Sequence, residues 1–491
     1  MKNTKQLIGI TALSLLAACG GGGGSTNSDD GSEGKSQETQ IGVFLDSPVI
    51  NVDYQTETRS GVTNSSGQYE YIPGETVTFS IGDLKFPVTR AQSTVTPIDI
   101  ANAQDASDAT VLNMIRLLQT LDADGNPANG ITITDAAKAA ATQVDFTSLE
   151  FESLSAVTNL ISNAGQYTAT QDLVSSQDAL AHFESELEKN GLFEAQYYQV
   201  KLDLPDGYSA LSKVTLADGN ITFEELYTST TDALETGSTS YSIASDGLLA
   251  ISGESTGVSS SNRAVMMGVD TNVADGDVGI SIFTKIDSSV TNSSLNGKFY
   301  CASLDSEPYS TIYEIVLDGN GSGTQTLIRD SDGDSGTLTS FNYSVSQGML
   351  SITGNNNSLK GGIANNATVL SLVQYDINSD TGITVCVKSS STLSDSTING
   401  DYYGGTLDSE PYTAFNTYNF DGAGNAVYSE LSISAGTPDT GEEVGYSVNS
   451  GGRIIIAGSI FGAVSPDGGV VIYTKVGAGD DLALGLLIKK L

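Results

Sequence analysis

Between Gly61 and Gly82 apolar and polar residues alternate. Val62, Tyr69, Tyr71, Val77, Phe79 and Ile81 are separated by polar positions and by glycines at Gly67 and Gly74. A period of two predicts half-buried antiparallel strands, here a small β-sandwich over residues 41–102. From Asp108 to Asn190 the period lengthens. Val111, Leu112, Ile115, Leu118 and Leu121 fall at helical spacing, as do Phe151, Leu154, Val157, Leu160 and Ile161, then Leu180, Phe183 and Leu187. That spacing predicts three or four helices within 103–191, a short bundle, with Asp108, Thr134 and Thr170 as N-caps and Gly165 and Gly191 as stops.

After residue 191 the pattern becomes short β-runs between Gly, Asp, Asn or Ser turns, and it comes round three times. Tyr197-Tyr198 is answered by Phe299-Tyr300 and Tyr402-Tyr403, and Leu304-Asp-Ser-Glu-Pro-Tyr309 by Leu407-Asp-Ser-Glu-Pro-Tyr412. Asp218-Gly219, Asp318-Gly319 and Asp421-Gly422 match, as do Tyr241-Ser-Ile243, Tyr343-Ser-Val345 and Tyr446-Ser-Val448. The units, 192–290, 295–390 and 396–491, end near Lys285, Lys388 and Lys489, a period of about 102 residues. Each holds about eight β-runs with connections short enough for an antiparallel meander. Closing eight strands into an up-and-down barrel removes the exposed edges, so a barrel is the favoured form. Because the alternation is imperfect, a two-sheet sandwich per unit, or two four-stranded propeller blades per unit, stand as alternatives. The expected fold class is therefore mainly β: sandwich, helical segment, then three tandem antiparallel units.

The start of the chain has its own order. Lys2 and Lys5 precede an apolar stretch from Ile8 to Leu16, which closes on Leu16-Ala17-Ala18-Cys19. A basic start, a short apolar stretch and small residues make a signal peptide over 1–18, too short to span a bilayer. Leu-Ala-Ala-Cys resembles the lipobox of bacterial lipoproteins. The resemblance implies cleavage before Cys19, lipid on its thiol and a third acyl chain on its new amine. Gly20 follows, rather than the aspartate that retains such proteins at the inner membrane, so the resemblance implies the cell outer membrane. Residues 19–40 are Gly, Ser, Asp and Glu with little to bury, and are expected to act as a flexible tether.

Two further resemblances concern the N-terminal part. The phrase running from Gly61 through Thr63, Gly67 and Tyr69 to Tyr71 resembles the carboxypeptidase-regulatory-like β-module, which implies an accessory or spacer role. That module followed by helices and by Leu121-Asp-Ala-Asp-Gly-Asn-Pro-Ala-Asn-Gly-Ile131 resembles uncharacterised lipoproteins of Gram-negative bacteria.

Composition narrows the chemistry. The 59 acidic residues outnumber the 21 basic ones for a formal charge of −38, which repels phosphate backbones and excludes nucleic acid as a partner. Once Cys19 is lipidated, Cys301 and Cys386 remain, an even pair in an exported protein and so an expected disulfide. They fall in the first and last strands of the middle unit, neighbours in a closed barrel. Their repeat equivalents are Gln199 and Phe283, Gly404 and Leu487, so both cysteines appear together and are absent together.

The inventory is poor for catalysis. There is one histidine, His182, expected on a helix surface or at a cap, and no strand-turn-helix nucleophile elbow of the G-x-S-x-G kind is expected to present a serine. Zinc and haem lack their usual ligands. Asp122, Asp124 and Asn126, and less fully Asp330, Asp332 and Asp334, copy the first positions of a calcium loop. Position twelve is Ile133 in one and Phe341 in the other, where an EF-hand places glutamate. No other cofactor is expected.

The expected function is a membrane-anchored envelope lipoprotein with a non-enzymatic binding, adhesion or surface-structural role, toward a protein or glycan partner. The alternative is capture of a solute or of a metal or haem carrier, by analogy with barrel-bearing surface lipoproteins of some pathogens. A carboxylate-pair glycoside hydrolase stands third.

Overall fold

The computed structural model describes residues 38–490 apart from 104–105, 168–171, 205–206, 218, 231–232, 245, 252–254, 272–277, 307–308, 337, 355–357, 365, 375–380, 411 and 477–481. Cys19, the signal segment and most of the tether thus lie outside the described residues. Among those described, no helix is long and apolar enough to cross a membrane.

The period of two in the N-terminal part becomes strands Gln68–Tyr71 and Thr76–Ile81, in which Tyr69, Tyr71, Val77, Phe79 and Ile81 face inward. Val62 departs from the pattern. Its strand, Ser60–Val62, lies at the edge of its sheet and is exposed throughout. The inward aromatics pack closely, with Phe44 stacked on Phe79 at 4.3 Å between ring centres and Tyr69 edge-on to Phe79 at 5.2 Å.

Among the described residues five helices follow: α1 (Pro97–Ala101), α2 (Ala109–Thr120), α3 (Asp135–Ala140), α4 (Ser155–Asn163) and α5 (Ser176–Lys189). The Asp108 carboxylate accepts the Thr110 and Val111 N–H groups, and the Thr134 hydroxyl accepts that of Ala137, capping α2 and α3. Thr170 lies outside the described residues; α5 is capped by Ser175, whose hydroxyl accepts the Asp178 N–H at 3.0 Å. Gly165 and Gly191 adopt positive φ, at 69° and 64°, as helix stops require. α2 is buried on two faces. Met114, Leu117 and Leu118 join the sheet aromatics, while Val111 and Ile115 meet Phe183 and Leu187 of α5.

The rest of the chain is three closed, eight-stranded antiparallel barrels in tandem. In each the eighth strand pairs with the first: Val278–Lys285 with Glu194–Leu204, Gly382–Lys388 with Gly297–Asp305, and Ala483–Lys489 with Asn399–Asp408. The repeat extends to irregularities, since the second-to-third strand pairing shifts register at Leu211/Ser212, Ile312/Tyr313 and Phe415/Asn416.

The barrels close on one another as a ring. The first and eighth strands of the first barrel pack on the sixth and seventh of the middle one. The same strands of the middle barrel pack on the sixth and seventh of the last, whose first and second strands return to the sixth and seventh of the first. Three copies of one head-to-tail contact thus close with pseudo-threefold symmetry. Their outward faces share a core that includes Val200, Leu202 and Ile282, Ala302, Leu304 and Val385, and Leu407, Phe415 and Leu486. This explains the imperfect alternation in the sequence. The eighth strands are buried on both faces, so their apolar residues do not keep to alternate positions, as in Ile282-Phe283 and Leu486-Leu487-Ile488.

Helix α5 lies on the ring beside the first barrel. Lys285 pairs with Glu184, Arg263 with Glu188 at 2.5 Å, and Gln177 donates to Ser261 at 2.6 Å. Glu184 is 1% exposed, so this docking depends on a buried charge that only its partner makes tolerable.

Candidate functional site: a cavity inside the middle barrel

Inward positions of the three barrels can be matched strand by strand. In the last barrel Tyr418, Tyr428 and Tyr473 occupy the interior, with Tyr418 at 4.9 Å from Tyr428 and 6.4 Å from Tyr473 between ring centres. The matching residues of the middle barrel are Ile315, Gln325 and Leu372, set by the pairings Ile315–Gln325 and Leu372–Thr384. Three phenol rings are replaced by two aliphatic chains and an amide. The space becomes a cavity of about 660 Å³, within the range typical of small-molecule sites.

A second substitution alters its polarity. In the first and last barrels the inward residue after the register shift is a glutamate that accepts a tyrosine hydroxyl: Glu225 from Tyr208, and Glu430 from Tyr412 at 2.7 Å. The middle barrel has Leu327 there. Its tyrosine, Tyr309, donates instead to Asp330 Oδ2 at 2.9 Å, three residues nearer the strand end. The carboxylate moves toward the mouth and leaves an apolar wall of Ile315, Leu327, Phe341, Ile352, Leu359 and Leu372.

Polar side chains are interspersed with this wall, among them Ser303, Thr311, Tyr313, Gln325 and Thr384, and several are hydrogen-bonded to one another. The Tyr313 hydroxyl donates to Thr384 Oγ1 at 3.4 Å, and the Ser303 and Thr311 hydroxyls pair at 2.5 Å. Burial pushes the Tyr313 phenol up to about 12, and burial followed by the Asp330 carboxylate raises that of Tyr309, so both are neutral donors at physiological pH. Asp305, Asp330 and Asp334 also line it, and among the described residues its lining includes no lysine, arginine or histidine.

The expected disulfide forms part of this wall. Cys301 and Cys386 are directly paired residues of the first and eighth strands, with α-carbons 4.0 Å apart and sulfurs bonded at 2.04 Å. Cys386 faces the cavity. The staple therefore closes the barrel at the level of the cavity, where the other two barrels have Gln199 and Phe283 or Gly404 and Leu487.

The remaining sequence-derived candidates are placed as follows. Asp122 Oδ1 and Oδ2 accept the Thr132 and Asn126 N–H groups at 2.8 Å each, and Asp124 accepts the Asn126 N–H at 2.9 Å and the Asn129 amide at 3.1 Å. These oxygens hold a turn. Burial holds the Asp122 carboxyl above the usual carboxylate range, while the Asn129 bond lowers Asp124. Asp330, Asp332 and Asp334 do not converge: Asp330 accepts Tyr309 and the Asp334 N–H, the latter at 2.8 Å. Among the described residues, no group of three His, Cys, Asp or Glu side chains is placed to hold a metal ion.

His182 is half-buried on α5, and its Nε2 lies 3.1 Å from the Ser47 hydroxyl, a pairing that sequence reasoning missed because the two are 135 residues apart. Ser47 is 1% exposed, and neither residue lines any cavity described here. Two crevices of about 800 Å³ each lie between α5 and the barrel ends, lined by residues such as Gln177, Asn262 and Asp467. They are gaps between elements, whereas the middle-barrel cavity is walled by one continuous sheet.

No family model and no curated protein matches this sequence. Among solved structures, similar chains include the vaccine antigen transferrin-binding protein B of Haemophilus parasuis, in a double-mutant form. It shows 11% identity, with 61% of this chain and 76% of that one covered, and a TM-score of 0.22. They also include isotype 1 transferrin-binding protein B of serogroup B Neisseria meningitidis, at 11% identity, coverages of 57% and 66%, and a TM-score of 0.23. Similarity at this level establishes neither the fold nor the function of this chain.

Proposed function

We propose that this chain is a lipoprotein of the cell envelope, anchored in the outer membrane through lipid on Cys19, whose barrel ring binds a ligand without transforming it. The single observation that carries the binding role is the cavity of the middle barrel. Two of its features favour a receptor over a catalytic centre. It is walled by one continuous sheet carrying a patch of aliphatic and aromatic side chains, Ile315, Leu327, Phe341, Ile352, Leu359 and Leu372, and the Tyr309 and Tyr313 hydroxyls on its lining are engaged with Asp330 and Thr384. Of the two non-enzymatic roles read from the sequence, capture of a small solute fits an internal cavity, and adhesion does not call for one.

The anchor is tested by labelled-palmitate incorporation and fractionation of wild type and Cys19→Ser; label in the variant would overturn it. The binding role is tested by extracting the purified full chain and comparing co-purified small molecules by mass spectrometry with an Ile315→Tyr/Gln325→Tyr/Leu372→Tyr variant. A molecule held by wild type and absent from the filled variant is expected. Identical extracts, with the filled variant folded, would remove the middle barrel as a receptor.

A further inference from the structure

The last barrel holds side chains of its own in the space that the middle one leaves open. Tyr418, Tyr428 and Tyr473 fill it, and its wall meets two of their hydroxyls: Tyr428 donates to Glu430 at 2.9 Å, and the Tyr473 hydroxyl lies 2.6 Å from that of Thr406. This filling is aromatic and uncharged, since burial holds all three phenols above their usual range. By register Thr406 answers to Ser303 of the middle barrel, and Tyr473 to Leu372. The hydroxyl that receives a phenol is therefore kept, while the phenol is gone.

The wall around Ser303 is particular to the middle barrel. Ser303 is directly paired with Thr311 on one side and Thr384 on the other, so three hydroxyl side chains stand in a row across the second, first and eighth strands. The same positions are Ala210, Lys201 and Ser281 in the first barrel, and Ala414, Thr406 and Gly485 in the last. All three hydroxyl residues are buried and line the cavity. Ser303 and Thr311 are hydrogen-bonded to each other, and Thr384 accepts from Tyr313. A hydroxyl can donate once and accept twice, and among the described residues these three have no further partner, so the row keeps unused donor and acceptor capacity. Across the barrel, Leu327, Ile352, Leu359 and Leu372 of the third, fifth, sixth and seventh strands form an aliphatic side.

We infer that the middle barrel binds an uncharged aromatic alcohol or phenol, its ring seated against Leu327, Phe341 and Leu372 and its hydroxyl joined to the row of Ser303, Thr311 and Thr384. This rests on the binding role proposed above. A plain hydrocarbon would cut the row off from water without giving it a partner. An anion would meet no basic side chain among the described residues of the lining. A cation would find the mouth carboxylates in use, since Asp330 accepts Tyr309 and the Asp334 N–H, and Asp305 has a partner of its own. A neutral hydroxyl on an aromatic ring supplies to Ser303 what Tyr473 supplies to Thr406.

The test uses the full chain carrying Cys19→Ser and four probes built on one ring system: 2-naphthol, naphthalene, 2-naphthoate and 2-naphthylmethylamine, measured by equilibrium dialysis at neutral pH and physiological salt. One site per chain is expected, with 2-naphthol bound about tenfold more tightly than naphthalene and both charged probes weaker than 2-naphthol. Ser303→Ala/Thr311→Ala/Thr384→Val removes the row, placing at 311 the alanine of both other barrels, and should bring 2-naphthol and naphthalene to equal affinity. The Ile315→Tyr/Gln325→Tyr/Leu372→Tyr variant, which installs the residues that the last barrel already folds with, should abolish binding of all four probes. If naphthalene or a charged probe binds wild type as tightly as 2-naphthol and filling the barrel abolishes it, the inference falls and the receptor role stands. A preference for 2-naphthol that survives loss of the row overturns the inference, as does failure of every probe to bind. Binding unchanged by the filled barrel, confirmed folded by circular dichroism, overturns the inference and the receptor role together.

Discussion

The hydroxyl of Tyr403, on the first strand of the last barrel, donates to Asp246 Oδ2 in a turn of the first barrel at 3.1 Å and so ties the end of the ring back to its beginning. The contact repeats around the ring. Tyr198 donates to Gln347 O at 3.1 Å in the matching turn of the middle barrel, and the Tyr300 hydroxyl lies against the last barrel's turn at Gly451. Because Asp246 is charged, Tyr403→Phe should cost about 1.5–3 kcal/mol and Tyr198→Phe about 0.5–1.5 kcal/mol. Denaturant melts of the full chain check the order; a larger loss for Tyr198→Phe would show that the closing contact is not special.

The Cys301–Cys386 bond encloses 85 residues, worth roughly 4.5 kcal/mol in the chain-entropy model, less any native strain. Its removal should be measured in the full chain. An isolated middle barrel would expose Ala302, Leu304 and Val385, which belong to the core shared by the ring. Cys301→Ala/Cys386→Ala should increase hydrogen exchange across 297–388 well before the other barrels. Uniform change across all three would mean that the ring unfolds as one unit.

At the Glu184–Lys285 pair, removing one partner strands a buried charge. Lys285→Met alone should cost about 3–5 kcal/mol, and Glu184→Leu/Lys285→Met should recover most of it. Equal stabilities of single and double variants would place the cost elsewhere.

Asp46 is fully buried, and burial holds its carboxyl well above the usual carboxylate range despite the Gln119 amide that donates to it at 3.1 Å. The folded protein therefore keeps a proton that the unfolded chain has released. This contribution is complete below about pH 4, the unfolded value, and is lost as pH rises toward the folded one. Asp46→Asn should leave stability at pH 4 nearly unchanged and raise it at pH 8. A variant less stable than wild type at pH 8 would contradict the sign.

Calcium at Asp122 and Asp124 would have to displace the N–H groups of Thr132 and Asn126 from the carboxylates. The melting temperature of the full chain should thus be the same in calcium and in chelator. A rise of several degrees with calcium would mean that the turn rearranges into a binding loop.

Much of this molecule was legible in the sequence because its signals are local or periodic. The repeat announced three units, Asp108 and Thr134 announced helix starts, and cysteines shared by one unit alone announced a staple between its first and last strands. What misled or stayed silent was long-range. The eighth strands blurred the alternation because neighbouring barrels cover their outer faces. Ser47 and His182 meet only because α5 folds back on the N-terminal sheet. The exposed Val62 continued an apolar rhythm with no sheet behind it.

The candidate site divides the same way. The sequence alone determined that position 327 is leucine where its counterparts at 225 and 430 are glutamate, and that 315, 325 and 372 carry no tyrosine. Only the tertiary structure decided that these four side chains point into one enclosed space, since strand register, and not residue identity, sets which positions share a barrel interior. Closure of the ring was likewise beyond the sequence. It depends on three weakly patterned outer faces meeting at one angle, a property of assembled surfaces that no single repeat contains.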